Sequence, residues 1–196
     1  GDHPASRILA DRFGFVPVRT LLQLRTELEA EANSGLRRDA GAEGGLGARS
    51  HDLRLATFRA GIDDRAWLDL NARAFADHPE QGALTQRDLE ARKAETWFDP
   101  ESFLLLYDGD ELVGSNWLKI DPANPTLGEI YAIAVSPEHQ GKGHSRRLMD
   151  AGLTRLRERG ATTASLYVEA DNTPALALYE RYGFVRHTID VQYSRA

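Results

Sequence analysis

Apolar positions along the chain fall into short runs separated by polar turns. Residues 53–58 alternate apolar and polar, the period of a half-buried strand. Residues 63–75 carry apolar side chains at helical spacing, with Asp63 or Asp64 placed to cap the start. Residues 85–96 predict a second helix, entered at Thr85 with Asp88 three residues on, the pattern of a capping box. Two apolar runs, 103–107 and 112–120, flank Asp108-Gly109-Asp110, which is hairpin chemistry. Residues 128–135 read as a strongly apolar strand, and Gln140-Gly-Lys-Gly-His-Ser145 opens a helix reaching Arg159, with Gly160 able to end it. A buried strand at 164–168, a helix at 174–182 with proline in its first turn, and a strand at 185–193 complete the pattern. The order is strand, two helices, three strands, helix, strand, helix, strand. It predicts an α/β (α+β) fold, a mixed central sheet with helices on both faces.

The same pattern occurs a second time in part. Asp2 to Val16 and Asp171 to Val185 both read as polar turn, helix, glycine and apolar strand, at a constant offset of 169 residues (171 − 2 and 184 − 15). Gly14 and Gly183 stand where a left-handed residue ends a helix, and Gln23 falls on Gln192. The first copy lacks everything that precedes the helix in the second. Residues 1–29 are therefore expected to be the last helix and strand of an upstream domain, and the parent protein a tandem. Residues 30–51 are rich in Gly, Ala, Arg and Asp without apolar period and read as a flexible linker. Residues 52–196 form the expected complete domain.

Composition narrows the function. The formal net charge of −6 argues against nucleic acid and suits a small cationic partner. There is no cysteine, so a disulfide framework, a thiolate metal site and a cysteine nucleophile are excluded. The six histidines are scattered without ligand spacing, and no metal is expected. No apolar run approaches the roughly 20 residues that span a bilayer, and no signal peptide is visible. The expectation is a cytoplasmic protein with no membrane partner.

The candidate chemistry lies at Val135-Ser-Pro-Glu-His-Gln140-Gly-Lys-Gly-His-Ser-Arg146, where a strand turns through glycines into a helix. Amide groups at a helix start favour anions, glycines let backbone approach a pyrophosphate, and Lys142 and Arg146 add charge. The Walker pattern fails because Gly143 follows Lys142, and the dinucleotide fingerprint fails because Arg146 stands at its third glycine. After one strand comes Asn172-x-x-Ala175-x-x-x-Tyr179-x-x-x-Gly183-Phe184. The pair of motifs resembles the Gcn5-related N-acetyltransferase family over the whole of 52–196, with Ser145 replacing the family's final small Gly or Ala. The segments Phe75-Ala-Asp-His-Pro-Glu-Gln-Gly82, Trp97-Phe-Asp-Pro100, Leu127-Gly-Glu-Ile-Tyr131 and Leu166-Tyr-Val-Glu-Ala-Asp-Asn172 are similar, further, to the C-terminal domain of the mycothiol synthase family.

The resemblance implies an acetyl-coenzyme A-dependent enzyme. Backbone at Ile133, Ala134 and Val135 would pair with pantetheine. Gln140, Gly141, Lys142, Gly143, His144, Ser145 and Arg146 would hold the pyrophosphate, with Asn172 and Ala175 on the other side of the cofactor. Tyr179 matches the general-acid position that serves the leaving thiolate; its other reading is a core tyrosine packed on pantetheine. The first copy carries Ala10 at that place. Glu129 begins the central strand on the face shared by Tyr131, Ile133 and Val135, and a carboxylate among apolar neighbours there suits a base. Glu80, Lys119, Glu129 and Tyr167 would contact the acceptor, which the second resemblance makes the cysteinyl amine of a cysteine–glucosamine–inositol conjugate. Another small-molecule, polyamine or peptide amine, a non-catalytic coenzyme A-binding module and a dimerisation module are the alternatives left open.

Overall fold

The computed structural model describes residues 3–29, 53–76 and 79–195, the side chains of Pro79 and Glu80 excepted. The linker expected at 30–51 lies outside them. In chain order the elements are α1 (Pro4–Arg12), β1 (Phe15–Glu27), β2 (Leu53–Thr57), α2 (Asp64–Ala74), α3 (Pro79–Gly82), α4 (Gln86–Lys93), β3 (Phe103–Asp108), β4 (Glu111–Ile120), β5 (Leu127–Val135), α5 (His144–Glu158), β6 (Thr163–Glu169), α6 (Thr173–Arg181) and β7 (Val185–Arg195). The strands are ordered β2-β3-β4-β5-β6-β1-β7 in a mixed sheet, in which β5 and β6 run parallel. Every strand and long helix expected from the apolar pattern forms. Among the described residues no helix is long and apolar enough to cross a membrane.

The chain divides into two compact units. One comprises residues 29–117 and 132–152. Its core is aromatic: Phe103 stacks on Phe58 at 4.4 Å and on Trp117 at 4.3 Å, while Trp67 meets Phe103 and Trp117 edge-on, both at 5.3 Å. Such pairs add about 1 kcal/mol each beyond their buried area. Trp67 Nε1 donates to Ser115 Oγ at 3.2 Å, so the indole pays no desolvation penalty in this apolar setting. The β3–β4 hairpin closes at Gly109, whose φ of 60° supplies the left-handed conformation the turn needs.

Helix starts in this unit divide the expectations. Thr85 and Asp88 form the capping box at the head of α4, each side chain bonding the other's backbone N–H. The cap expected of α2 is different. Asp63 is its N-cap residue but makes no side-chain cap bond; its carboxylate accepts from the Arg59 backbone and guanidinium instead, and Asp64 accepts from Gly61 N. Both acids fold back on the preceding turn, where donors lie nearer than the helix amides. Helix α4 stops at Lys93 rather than Thr96, because the amides of Glu95 and Phe98 turn back to the carbonyls of Arg92 and Glu95.

The other unit comprises residues 1–28, 118–131 and 153–196. Here the partial repeat takes on a structural meaning. Helices α1 and α6 are both nine residues long, both end ahead of a left-handed glycine (Gly14 at φ 72°, Gly183 at φ 74°), and both run into a strand. Strand β1 lies between β6 and β7, antiparallel to each, in registers Leu21↔Glu169 to Glu27↔Thr163 and Phe15↔Arg195 to Arg25↔Val185. Its apolar side chains explain the fit: Leu24 is buried opposite Leu166 on the face that also buries Ala164, Val168 and Ile130. Residues 15–27 are thus an interior strand of the sheet to which β6 and β7 belong.

Candidate active site

In the first unit, β5 ends at Val135 and the chain makes a single helical turn at Pro137–His139 before α5. The turn is fixed by local bonds: Ser136 N donates to Val113 O at 2.9 Å, and Ser136 Oγ pairs with His139 Nδ1 at 2.9 Å. Gly141 and Gly143 then adopt φ 75° and 82°. A Cβ on either would point into open space, so glycine is required here by backbone conformation rather than by crowding. Left-handed residues beside right-handed ones turn successive amides toward one concavity, which is an anion-binding shape. Lys142 and Arg146 are exposed, Ser145 is half-buried and His144 is buried at the helix start. Gln140 is exposed, its Nε2 reaching back to Val135 O at 3.5 Å. The loop therefore brings together the residues expected to hold a pyrophosphate, in a conformation able to do so.

The strand leading into that loop offers backbone. Pairing of β5 with β6 runs from Leu127↔Thr163 to Ile130↔Leu166 and stops there. Residues 131–135 continue β5 beyond it. Of the expected pantetheine strand, Ala134 and Val135 are buried and Ile133 is partly buried, packed against the cluster of Leu106, Val113, Val135 and Leu148.

In the second unit, alternation on β5, β6 and β1 sorts the side chains into two faces. Gly128, Ile130, Ala164, Leu166 and Val168 are buried on one. Glu129 stands opposite Ser165 on the other, and Tyr167 stands opposite Gln23 on that same face. Burial pushes the Glu129 carboxyl up from its ordinary range, and the Lys119 ammonium pulls back against that rise. Lys119 itself lies 5.9 Å from the Tyr131 ring centre. Tyr167 is 47% exposed, unusual for a tyrosine in an interior strand, and its phenol accepts from Gln23 Nε2 at 2.7 Å. Arg19 pairs with Glu169 two residues further along β6. Lys119, Glu129 and Tyr167 thus lie within one unit, and Gln23 and Arg19 join Tyr167 and Glu169 there. No motif marks those two; their strand was assigned to another domain, and only the register of β1 reveals where they stand.

Tyr179 is 7% exposed on α6, tilted against Phe184 at 5.9 Å, and burial pushes its phenol up to about 12. Asn172 caps α6, its Oδ1 accepting from Ala175 N at 3.2 Å. This accounts physically for Asn172 in the second motif, since a short polar cap three residues before a free amide starts a helix. Glu80 belongs to α3, and its side chain lies outside the described residues.

Comparison with known proteins extends these observations. The chain is 46% identical over 201 residues to a mycothiol acetyltransferase of Geodermatophilus obscurus, covering all of this chain and 62% of that protein. It is 48% identical over 197 residues to a mycothiol acetyltransferase of Clavibacter sepedonicus, covering all of this chain and 60% of the relative. The chain thus spans about three fifths of the length of these curated relatives. Among solved structures, a GCN5-related N-acetyltransferase from Sphaerobacter thermophilus superposes with a TM-score of 0.74 at 21% identity, over 98% of this chain and 56% of that one. A tandem GNAT protein from the clavulanic acid biosynthesis pathway does so with a TM-score of 0.68 at 17% identity, over 98% and 58%. At such identities these two speak for the fold. The profile of the acetyltransferase (GNAT) family matches residues 65–184, from α2 through the glycine loop to the end of the second motif, and the chain belongs to that family.

Proposed function

We propose that the chain transfers an acetyl group from acetyl-coenzyme A to the cysteinyl amine of a cysteine–glucosamine–inositol conjugate, the reaction that yields mycothiol. The observation that carries this reading is the whole-length likeness to mycothiol acetyltransferases at 46–48% identity, taken with a half-buried carboxylate, Glu129, beside an exposed phenol on one sheet face. When bound, acetyl-coenzyme A supplies an acetyl thioester. The loop of Gln140, Gly141, Lys142, Gly143, His144, Ser145 and Arg146 would hold its pyrophosphate on backbone amides, with Lys142 and Arg146 neutralising charge. Asn172 and Ala175 are the cofactor residues that the second motif would add. Amide groups of Ile133, Ala134 and Val135 would hydrogen-bond pantetheine, and one of them would polarise the acetyl carbonyl.

Glu129 takes the proton that the acceptor ammonium must lose. An α-amine ionises near 7.7–8.0, so a carboxylate whose own affinity for protons has been raised by burial is better matched to it than an exposed one. Tyr179 serves the departing sulfur. With its phenol at about 12 and a thiol near 8.5, complete proton transfer is uphill by roughly 5 kcal/mol, so Tyr179 acts there as a hydrogen-bond donor. Lys119, Tyr167 and Glu80 bind the sugar and inositol hydroxyls.

The remaining two fifths of the relatives' length fits a preceding domain, which α1 would close while β1 lies between β6 and β7. The 169-residue repeat and the matching lengths of α1 and α6 support this. The test is release of coenzyme A from acetyl-coenzyme A with the cysteinyl–glucosaminyl–inositol amine, beside polyamines and peptides. Turnover confined to the conjugate is expected. Equal or faster turnover of a polyamine or peptide would replace the acceptor, and acetyl-coenzyme A binding without turnover of any amine would leave a binding module.

A further inference from the structure

We infer that Gln23, carried by the N-terminal strand β1, is a positioning residue of the acceptor site, setting the direction in which Tyr167 donates. This rests on the acceptor reading proposed above. Gln23 and Tyr167 are direct cross-strand partners, and Gln23 Nε2 donates to the phenol oxygen at 2.7 Å. A phenol has one proton. With its oxygen already accepting from the amide, that proton is left to be given outward, to an acceptor oxygen on a ligand over the sheet face. A carboxylate at position 23 would reverse the polarity and consume the proton.

Geometry places the pair where this matters. Glu129 is registered to Ser165, and Tyr167 lies two residues along β6 on the same face. Strands are about 4.8 Å apart and two residues span about 7 Å along a strand, so Glu129 on β5 and Gln23 on β1 lie on a diagonal of roughly 12 Å across β6, the scale of a sugar conjugate. Arg19, bonded to Glu169 one step further on, braces the same two strands. The face on which an acceptor would lie thus includes a strand from the segment before the linker, and the site is composite in sequence.

The experiment compares Gln23→Leu and Gln23→Glu with wild type in steady-state kinetics, alone and in a Tyr167→Phe background. Gln23→Leu is expected to raise KM for the conjugate amine about three- to tenfold, the worth of one hydrogen bond, with KM for acetyl-coenzyme A unchanged. Gln23→Glu is expected to raise it at least as much, although it keeps size and polarity. Neither change should add to Tyr167→Phe. An unchanged acceptor KM in both variants overturns the inference, as does a full effect in the Tyr167→Phe background or an equal rise in KM for acetyl-coenzyme A. If Gln23→Leu does not fold, Gln23→Glu and its double variant decide the matter alone. Turnover by wild type with indifferent Gln23 variants sinks only the role of Gln23. Silence of wild type toward the conjugate removes the acceptor reading, and this role with it.

Discussion

At the scale of single residues, the base role proposed for Glu129 sets activity against stability. Its carboxyl is raised by burial, so the folded state prefers the protonated form and the ionised form is a cost. The sign follows from linkage. A group raised on folding stabilises below its unfolded value, near 4.3 for glutamate, and that contribution is lost as pH rises through the folded value. Above it the ionised carboxylate opposes folding. Glu129→Gln should therefore raise Tm at pH 7–8, with the gain shrinking toward zero as pH falls below about 4. The same change should lower turnover by roughly a hundredfold or more, the usual share of a general base. Thermal denaturation across pH together with kinetics checks both; a Tm lowered at pH 7–8 would mean that the carboxylate is held by favourable bonds rather than by a catalytic task. Glu129 was legible in the sequence because a lone acid in an apolar, alternating run is conspicuous. Gln23 was not, because its partner is 144 residues away and only strand register brings them together.

At the scale of elements, α2 and α4 are tied by a buried ion pair. Lys93 Nζ reaches Asp64 Oδ2 at 2.8 Å, and both side chains are about nine-tenths buried. Gln86 and Gly61 N also donate to Asp64. Burial alone would push the Asp64 carboxyl up, but the bonds from Lys93, Gln86 and Gly61 outweigh it and hold the group below its ordinary value of 3.8. Lys93→Met leaves that carboxylate buried without its cation and should cost about 3 kcal/mol in chemical denaturation. In wild type, Asp64 contributes stability that is full above its unfolded value and lost as pH falls through the lower folded one, so the difference between the proteins should narrow below about pH 4. A cost under 0.5 kcal/mol at pH 7 would show that Gln86 and Gly61 suffice. The sequence indicated α2 and α4 themselves, since apolar spacing and the Thr85–Asp88 pair are local. It placed the start of α2 at Asp63 and Asp64 but not how that start is bonded, because whether the two acids bond forward to helix amides or back to Arg59 and Gly61 depends on the path of the preceding turn.

At the scale of the whole molecule, the preceding domain proposed above predicts which surface it would cover. Ile8 and Leu9 on α1, Phe13 just after it, and Phe15, Val16 and Val18 on β1 are exposed, with Ile8 at 67% and Phe13 at 61%. Contiguous apolar side chains of this size are more often covered than left in water. In each copy one helix residue is buried, Tyr179 in α6 and Ala10 in α1, at the same place in the repeat, and around Ala10 the apolar residues Ile8 and Leu9 are left exposed. If α1 closes a preceding domain, as the lengths of the relatives suggest, its apolar side packs there while β1 serves the sheet described here. Phe13→Asp separates the cases. In the 196-residue chain the side chain is solvated, and the substitution should change stability by less than about 0.5 kcal/mol. In the parent protein it would bury a charge in an apolar contact and should cost about 3 kcal/mol or unfold the preceding domain. Equal small effects in both lengths would mean that no domain packs on α1. Equal large effects would mean that copies of the short chain cover one another through this face, which concentration-dependent sedimentation of the wild-type chain would then show.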